Sequence, residues 1–184
     1  KTGIRKAKKF KKNRLGVMGC FFSHYYLWQK CIEIDEPIVI LEHDGYVINH
    51  IPDLILDEFT DVLKLDNEDP FSSSYNKTIS LQTSDIVEIV KYINKDAKET
   101  AKREFPGTGN YMRGAYSYII KPQGAQKLID FISKYGHLPA DQQIGDKVVD
   151  IRVTVPTVAR LHPLYSVGSN IKELSLTKNL RQTE

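Results

Sequence analysis

The sequence predicts an α/β domain: a doubly wound, mostly parallel sheet flanked by helices. Three observations carry that expectation. The run Pro37-Ile38-Val39-Ile40-Leu41 has no polar side chain and three β-branched residues, as a strand buried on both faces would. A segment with helical spacing precedes it. A second strand-like run, Tyr116 to Ile120, leads directly into a second helical segment, so helices and strands alternate.

At 184 residues and 41% hydrophobic content the chain can bury one sizeable core. We divide it into a basic N-terminal segment, 1–14, and a single domain, 15–184. Residues 1–14 hold eight Lys or Arg and no acid, leaving 18 basic and 23 acidic residues in the rest. Such a tract suits a polyanion, whether nucleic acid, an anionic membrane surface or a phosphorylated donor; a solvated helix face or linker explains it equally well.

From Leu15-Gly16 onward the residues Val17, Cys20, Phe21, His24, Leu27, Trp28 and Cys31 recur at helical spacing, which predicts a helix to about Glu33. Cys20 and Cys31 then lie about 16 Å apart at ~1.5 Å rise per residue, too far for a disulfide. Two free thiols fit a reducing compartment, and the expected location is cytoplasmic. No run approaches the roughly 20 apolar residues that cross a bilayer, and no signal-type h-region opens the chain.

Asp35-Glu36-Pro37 ends the helix and launches the apolar strand. Helix followed by strand is half of a βαβ unit, so a further strand is expected before Lys1, or the sheet is unusually small. Asp61 to Leu65 reads as a second strand, again ending in acids, and residues 67–83 read as a long loop. The segment from Ile86 to Ile93 is ambiguous between strand and helix; 94–104 is charged, a helix or connector facing solvent. Pro106 to Gly114 is a glycine-bearing loop able to approach a ligand. Strand Tyr116–Ile120, helix Gly124–Tyr135 closed by Gly136, a short helix over about 139–148 and strand Ile151–Val155 complete the order. The tail from Leu164 is mostly polar.

Glu42-His43-Asp44 stands at the C-terminal end of the apolar strand. In open α/β sheets ligands bind at that edge. In extended chain, residues i and i+2 point the same way, so Glu42 and Asp44 would offer two carboxylates to one hard cation. Acids also end strands simply because the chain is emerging into water, and Asp44-Gly45 is an ordinary turn pair. His24 lies on the apolar stripe of its helix, where a lone His is commonly a hydrogen-bonded core residue; Trp28 reads as core. Tyr111 and Arg113, in the glycine-bearing loop, are candidates to meet acceptor or phosphate, with a plain surface-loop role as the alternative.

Gly19-Cys20, Ser23-His24, Trp28 and Leu41-Glu42-His43-Asp44 resemble, in order and spacing, the signature of glycosyltransferase family 25. That family includes bacterial lipooligosaccharide galactosyltransferases and collagen hydroxylysine galactosyltransferases. Tyr116 to Ile120 with Gly124-Ala125-Gln126-Lys127-Leu128 is similar to its strand and Gly-Ala helix. Leu138-Pro139-Ala140-Asp141 is similar to a Pro and Asp pair near the end of its catalytic domain; His162-Pro163 and Ser169-Asn170 fit its closing segment loosely. The resemblance implies a GT-A type, Rossmann-like fold and an inverting, metal-dependent transfer from a nucleotide-diphosphate sugar, with a UDP-sugar as donor and Mn²⁺ as the metal.

It further implies Asp44 as metal ligand with Glu42 second, and Asp141 as general base with Asp146 and Asp66 in reserve. Ser23 and His24 become donor-phosphate contacts, or His24 a partner of Asp44. Two features stand out. His43 occupies a position where the family keeps an acid, and the family's first strand and nucleotide-contacting loop are expected to lie before Lys1. The expected acceptor is a glycan such as lipopolysaccharide core. A nucleic-acid acceptor such as a hydroxylated base, reached through residues 1–14, and a non-catalytic metal- or glycan-binding module are the competing readings.

Overall fold

The structure, a computed structural model, describes residues 14–51, 53–67, 88–92 and 108–162. The basic tract up to residue 13, the segments 68–87 and 93–107, and the tail from 163 lie outside the described residues. So do the expectations that fall on them, including most of the long loop, the 94–104 helix or connector and the family's closing segment.

Helix α1 (Arg14–Ile34) leads into β1 (Ile38–Leu41) and, after a tight turn, β2 (Gly45–Val47). A 3-10 helix (Asp53–Glu58) precedes β3 (Val62–Lys64), and β4 (Glu88–Lys91) settles the ambiguous segment as strand. Then follow β5 (Ser117–Ile120), α2 (Pro122–Tyr135), α3 (Ala140–Gln143), β6 (Ile151–Val155) and β7 (Ala159–Leu161).

The described strands form a five-stranded sheet in the order β1-β5-β3-β6-β4 and a separate β2-β7 pair. This corrects the expectation of a mostly parallel, Rossmann-like sheet. β5 runs antiparallel to both neighbours, β1 and β3; β4 runs antiparallel to β6; only β3 and β6 are parallel. The domain is α/β with a mixed, mostly antiparallel sheet. β1 is an edge strand rather than one buried on both faces: Ile40 points into the core while Val39 is 50% exposed. An apolar, β-branched run cannot announce an edge position, since one well-covered face satisfies the same residues.

One face of the sheet packs against α1 and α2, with Phe21, Trp28, Ile40, Tyr118, Ile120 and Leu128 in one buried cluster. The other face packs Leu63, Leu65 and Ile119 against Ile55 and Phe59 around the 3-10 helix, and against Val158 and Ala159 at the start of β7. On α1 the buried positions Phe21, His24, Trp28 and Cys31 keep the spacing of one helical stripe. Leu27, read as part of that stripe, is 40% exposed. None of the described helices is long and apolar enough to cross a membrane.

Although β5 and β4 run the opposite way, β1, β3 and β6 run in one direction. Their C-terminal ends therefore share an edge, where the start of β5 also lies. Glu42, Asp66 and Thr157 follow those three ends, and Glu42 N donates to Tyr116 O at 2.8 Å.

Candidate active site at the strand-end edge

β1 stops at Leu41, and the next four residues form a turn closed by Gly45 N donating to Glu42 O at 2.9 Å. Glu42 and Asp44 are thus placed by a turn, not by the extended chain that the i, i+2 argument assumed. Gly45 is required by close approach: a Cβ there would stand 2.7 Å from Tyr116 O. The turn presses against the start of β5, and His162 N donating to Asp44 O at 2.7 Å pins its other side.

Glu42 faces α1. Its Oε1 sits 2.9 Å from His24 Nε2 and accepts the Cys20 thiol at 3.6 Å. His24 Nδ1 lies 2.7 Å from the Tyr118 hydroxyl, which accepts Trp28 Nε1–H at 2.9 Å. An indole N–H can only donate. For a neutral imidazole the chain then orders itself: Trp28 donates to Tyr118, Tyr118 O–H to His24 Nδ1, and His24 Nε2–H to Glu42. Burial pushes the Glu42 pKa up, but the His24 hydrogen bond, the His24 charge when the ring is protonated, and Cys20 and His43 outweigh it and hold the group below the usual value. Glu42 is fixed as an anion, and its neighbour pays in acidity: burial first, then the charge of Glu42, push the Cys20 thiol to about 12.

Asp44 differs. Its Oδ1 is buried with no hydrogen-bond partner, and burial followed by the charge of Glu42 raises its pKa. Asp141, in the first turn of α3, is raised to about 6 by burial, with Glu42 adding to the rise; Gln142 N donates to Asp141 Oδ1 at 2.9 Å and pulls the other way. Asp141 also acts on Cys20 and feels His24. Glu42, Asp44, Asp141, Cys20 and His24 thus share one electrostatic neighbourhood drawn from α1, the β1–β2 turn and α3.

The other sequence-picked residues make contacts of their own. Ser23 is exposed and donates to Gly19 O at 3.0 Å, a bond within its own helix. Tyr111 bridges Gly145, and Arg113 N donates to the Tyr92 hydroxyl at 3.0 Å. Their loop is tied to α3 and the segment after it by Thr108 Oγ1 donating to Gln142 O at 2.6 Å and by Met112 N to Ile144 O at 2.7 Å. Asp146 is exposed and accepts Asn110 N at 2.8 Å, clasping the same loop. Asp66 is buried at the end of β3, accepting Thr157 Oγ1 at 3.3 Å, while the buried Lys64 ammonium donates to its backbone carbonyl.

Sequence reasoning missed Tyr118 and Lys64. Nothing local marks a hydroxyl 94 residues from the His it orients, and a Lys in an apolar strand reads as an exposed position. Trp28, read as core, is core and also a donor to Tyr118.

The donor chemistry fits a hard divalent cation at Asp44: a buried, unpartnered carboxylate oxygen beside two further acids is what such an ion relieves. Residues 2–144 match the family model described as "Glycosyltransferase family 25 (LPS biosynthesis protein)". The chain belongs to glycosyltransferase family 25. The match contains Cys20, His24, Glu42, Asp44, Tyr111, Arg113 and Asp141, and leaves β6 and β7 beyond its end. An Aedes aegypti protein named "Glycosyltransferase 25 family member" is 21% identical over 168 residues, covering 88% of this chain and 23% of that protein. The chain therefore spans less than a quarter of the length of that family 25 relative.

Proposed function

We propose that this family 25 chain catalyses a metal-dependent, inverting hexosyl transfer from a nucleotide-diphosphate sugar to a hydroxyl acceptor. The observation that carries the reading is the convergence of Asp44 and Asp141, both with raised pKa, on an anionic Glu42 at one sheet edge. A divalent cation such as Mn²⁺ held by Asp44, with Glu42 as second ligand, supplies charge stabilisation for the departing nucleoside diphosphate. Asp141 takes the proton of the acceptor hydroxyl; a pKa of about 6 leaves it ionised at neutral pH yet basic enough to accept a proton. His24, oriented through Tyr118, keeps Glu42 ionised. Ser23, Tyr111 and Arg113 are the donor and acceptor contacts that this reading assigns.

The family description supports a glycan acceptor such as lipopolysaccharide core, and a UDP-sugar is the donor we expect. The eight basic residues of 1–14 favour a second acceptor class, nucleic acid. Incubation with a panel of nucleotide sugars and Mn²⁺ tests the proposal. Slow, Mn²⁺-dependent donor hydrolysis supports it, whereas no donor binding at all leaves a non-catalytic module. Steeply salt-sensitive binding to DNA, as roughly eight phosphate contacts would produce, selects the nucleic-acid acceptor.

A further inference from the structure

We propose that Cys20 Sγ, His24 Nε2 and Glu42 Oε1 form a three-ligand site for a thiophilic divalent cation of the zinc class. The three atoms lie within 4.8 Å of one another, with 2.9 Å between Nε2 and Oε1 and 3.6 Å between Sγ and Oε1. Zn–S of ~2.3 Å and Zn–N of ~2.0 Å in a tetrahedron call for ligand atoms about 3.3–3.6 Å apart, so small rotamer adjustments admit the ion.

Cys20 and His24 stand one turn apart on α1, so their side chains fall on one helical face. α1 packs against α2 and α3, which holds that face in place. Glu42 closes the triangle from the end of β1. The outer partner of the imidazole is also present: Tyr118, itself fixed by Trp28, meets Nδ1 at 2.7 Å and sets the ring plane. The surroundings favour a cation, since Asp44 and Asp141 act on Cys20 from outside the triad.

Cys20 and His24 distinguish this site from the one at Asp44, with which it shares Glu42. A thiol and an imidazole select zinc-class ions, whereas a carboxylate oxygen suits Mn²⁺. Binding releases the Cys20 thiol proton to solvent and, for a neutral His24, shifts the ring to the Nδ1–H tautomer, whose N–H donates a hydrogen bond to the Tyr118 oxygen as the Tyr118 O–H rotates away; no electron is transferred. Glu42 is common to this site and to the proposed Mn²⁺ site, but the test is independent of the transferase reading, because the metal alone is the ligand.

Co²⁺ added to the purified chain reports thiolate ligation through sulfur-to-cobalt charge-transfer absorption. The expected result is a 1:1 band that Zn²⁺ displaces, that persists in Cys31→Ser and that disappears in Cys20→Ser. The Cys20→Ser variant should lose more Zn²⁺ affinity than the ~10–100-fold typical of removing an outer partner. Cys20 is only partly buried, so the hydroxyl replacement leaves the fold intact, which circular dichroism verifies. No band in the wild-type chain, or a band that survives in Cys20→Ser or vanishes in Cys31→Ser, overturns the site.

Discussion

The two edges of the central sheet treat buried acids in opposite ways. Where β3 and β6 begin and β5 ends, Asp61 is 1% exposed yet saturated: Lys127 Nζ donates to its two oxygens at 2.8 and 2.6 Å, and Asp150 N adds a third bond at 2.8 Å. The start of α2 is drawn close against it, for a Cβ on Gly124 would meet Asp61 O at 2.7 Å. At the far edge Asp44 keeps a buried oxygen without a partner, and both Asp44 and Asp141 are harder to ionise than usual. An acid whose lone pairs are filled by its own chain holds the fold together. Acids left under-satisfied and crowded by like charge store free energy that a cation or a proton can release.

The sharpest way to break that contrast is Asp44→Asn. It should abolish Mn²⁺-dependent donor binding while leaving stability unchanged or higher, since a destabilised charge is removed; calorimetry and thermal unfolding read the two effects separately. Asp61→Asn should do the reverse. Losing a charged acceptor of three hydrogen bonds costs about 1.5–3 kcal/mol in denaturant unfolding, with metal-dependent binding retained.

Trp28→Phe removes the donor that orders Tyr118 and leaves a cavity under α1. We expect about 1–3 kcal/mol of destabilisation, together with a weaker hold of His24 on Glu42, visible as a change in the imidazole ¹⁵N shifts.

The smallest effect is a pH dependence with two signs. The folded Asp141 pKa is raised to about 6 from 3.8, so its stability contribution is full below about pH 4 and is lost as pH rises through 6. With Asp141 in the proposed role of general base, activity should run the other way, because the base must be ionised, and the rate should fall below about pH 6. Asp141→Asn should remove this stability slope and the activity together, as unfolding and rate measured across pH 4–8 would report.

Much of this arrangement is legible in the sequence, for reasons that differ by element. Helical spacing marks α1, Gly136 marks the end of α2, and alternation marks β6 with the observed bounds. Strand direction is not legible, because β1 meets its partner β5 some 80 residues later in the chain and nothing in an apolar run says which way the partner runs. The short helix expected over 139–148 stops at Gln143, because Gly145 must pass against the Thr108 backbone; a Cβ there would lie 2.2 Å from Thr108 O. β2 and β7 are three residues each, too short to carry a period. At the site, the strand-end position of Glu42 and Asp44 can be read directly. The Trp28-Tyr118-His24 chain that conditions Glu42 cannot, because it exists only once α1 lies across β5.

The account turns on Asp44 as the cation-binding acid, and thermal unfolding with Mn²⁺ and UDP tests it most directly. Ligand at 100 times its dissociation constant should stabilise the wild-type chain and Asp61→Asn alike by about 2.7 kcal/mol, and leave Asp44→Asn unmoved. Equal stabilisation of Asp44→Asn would contradict the assignment.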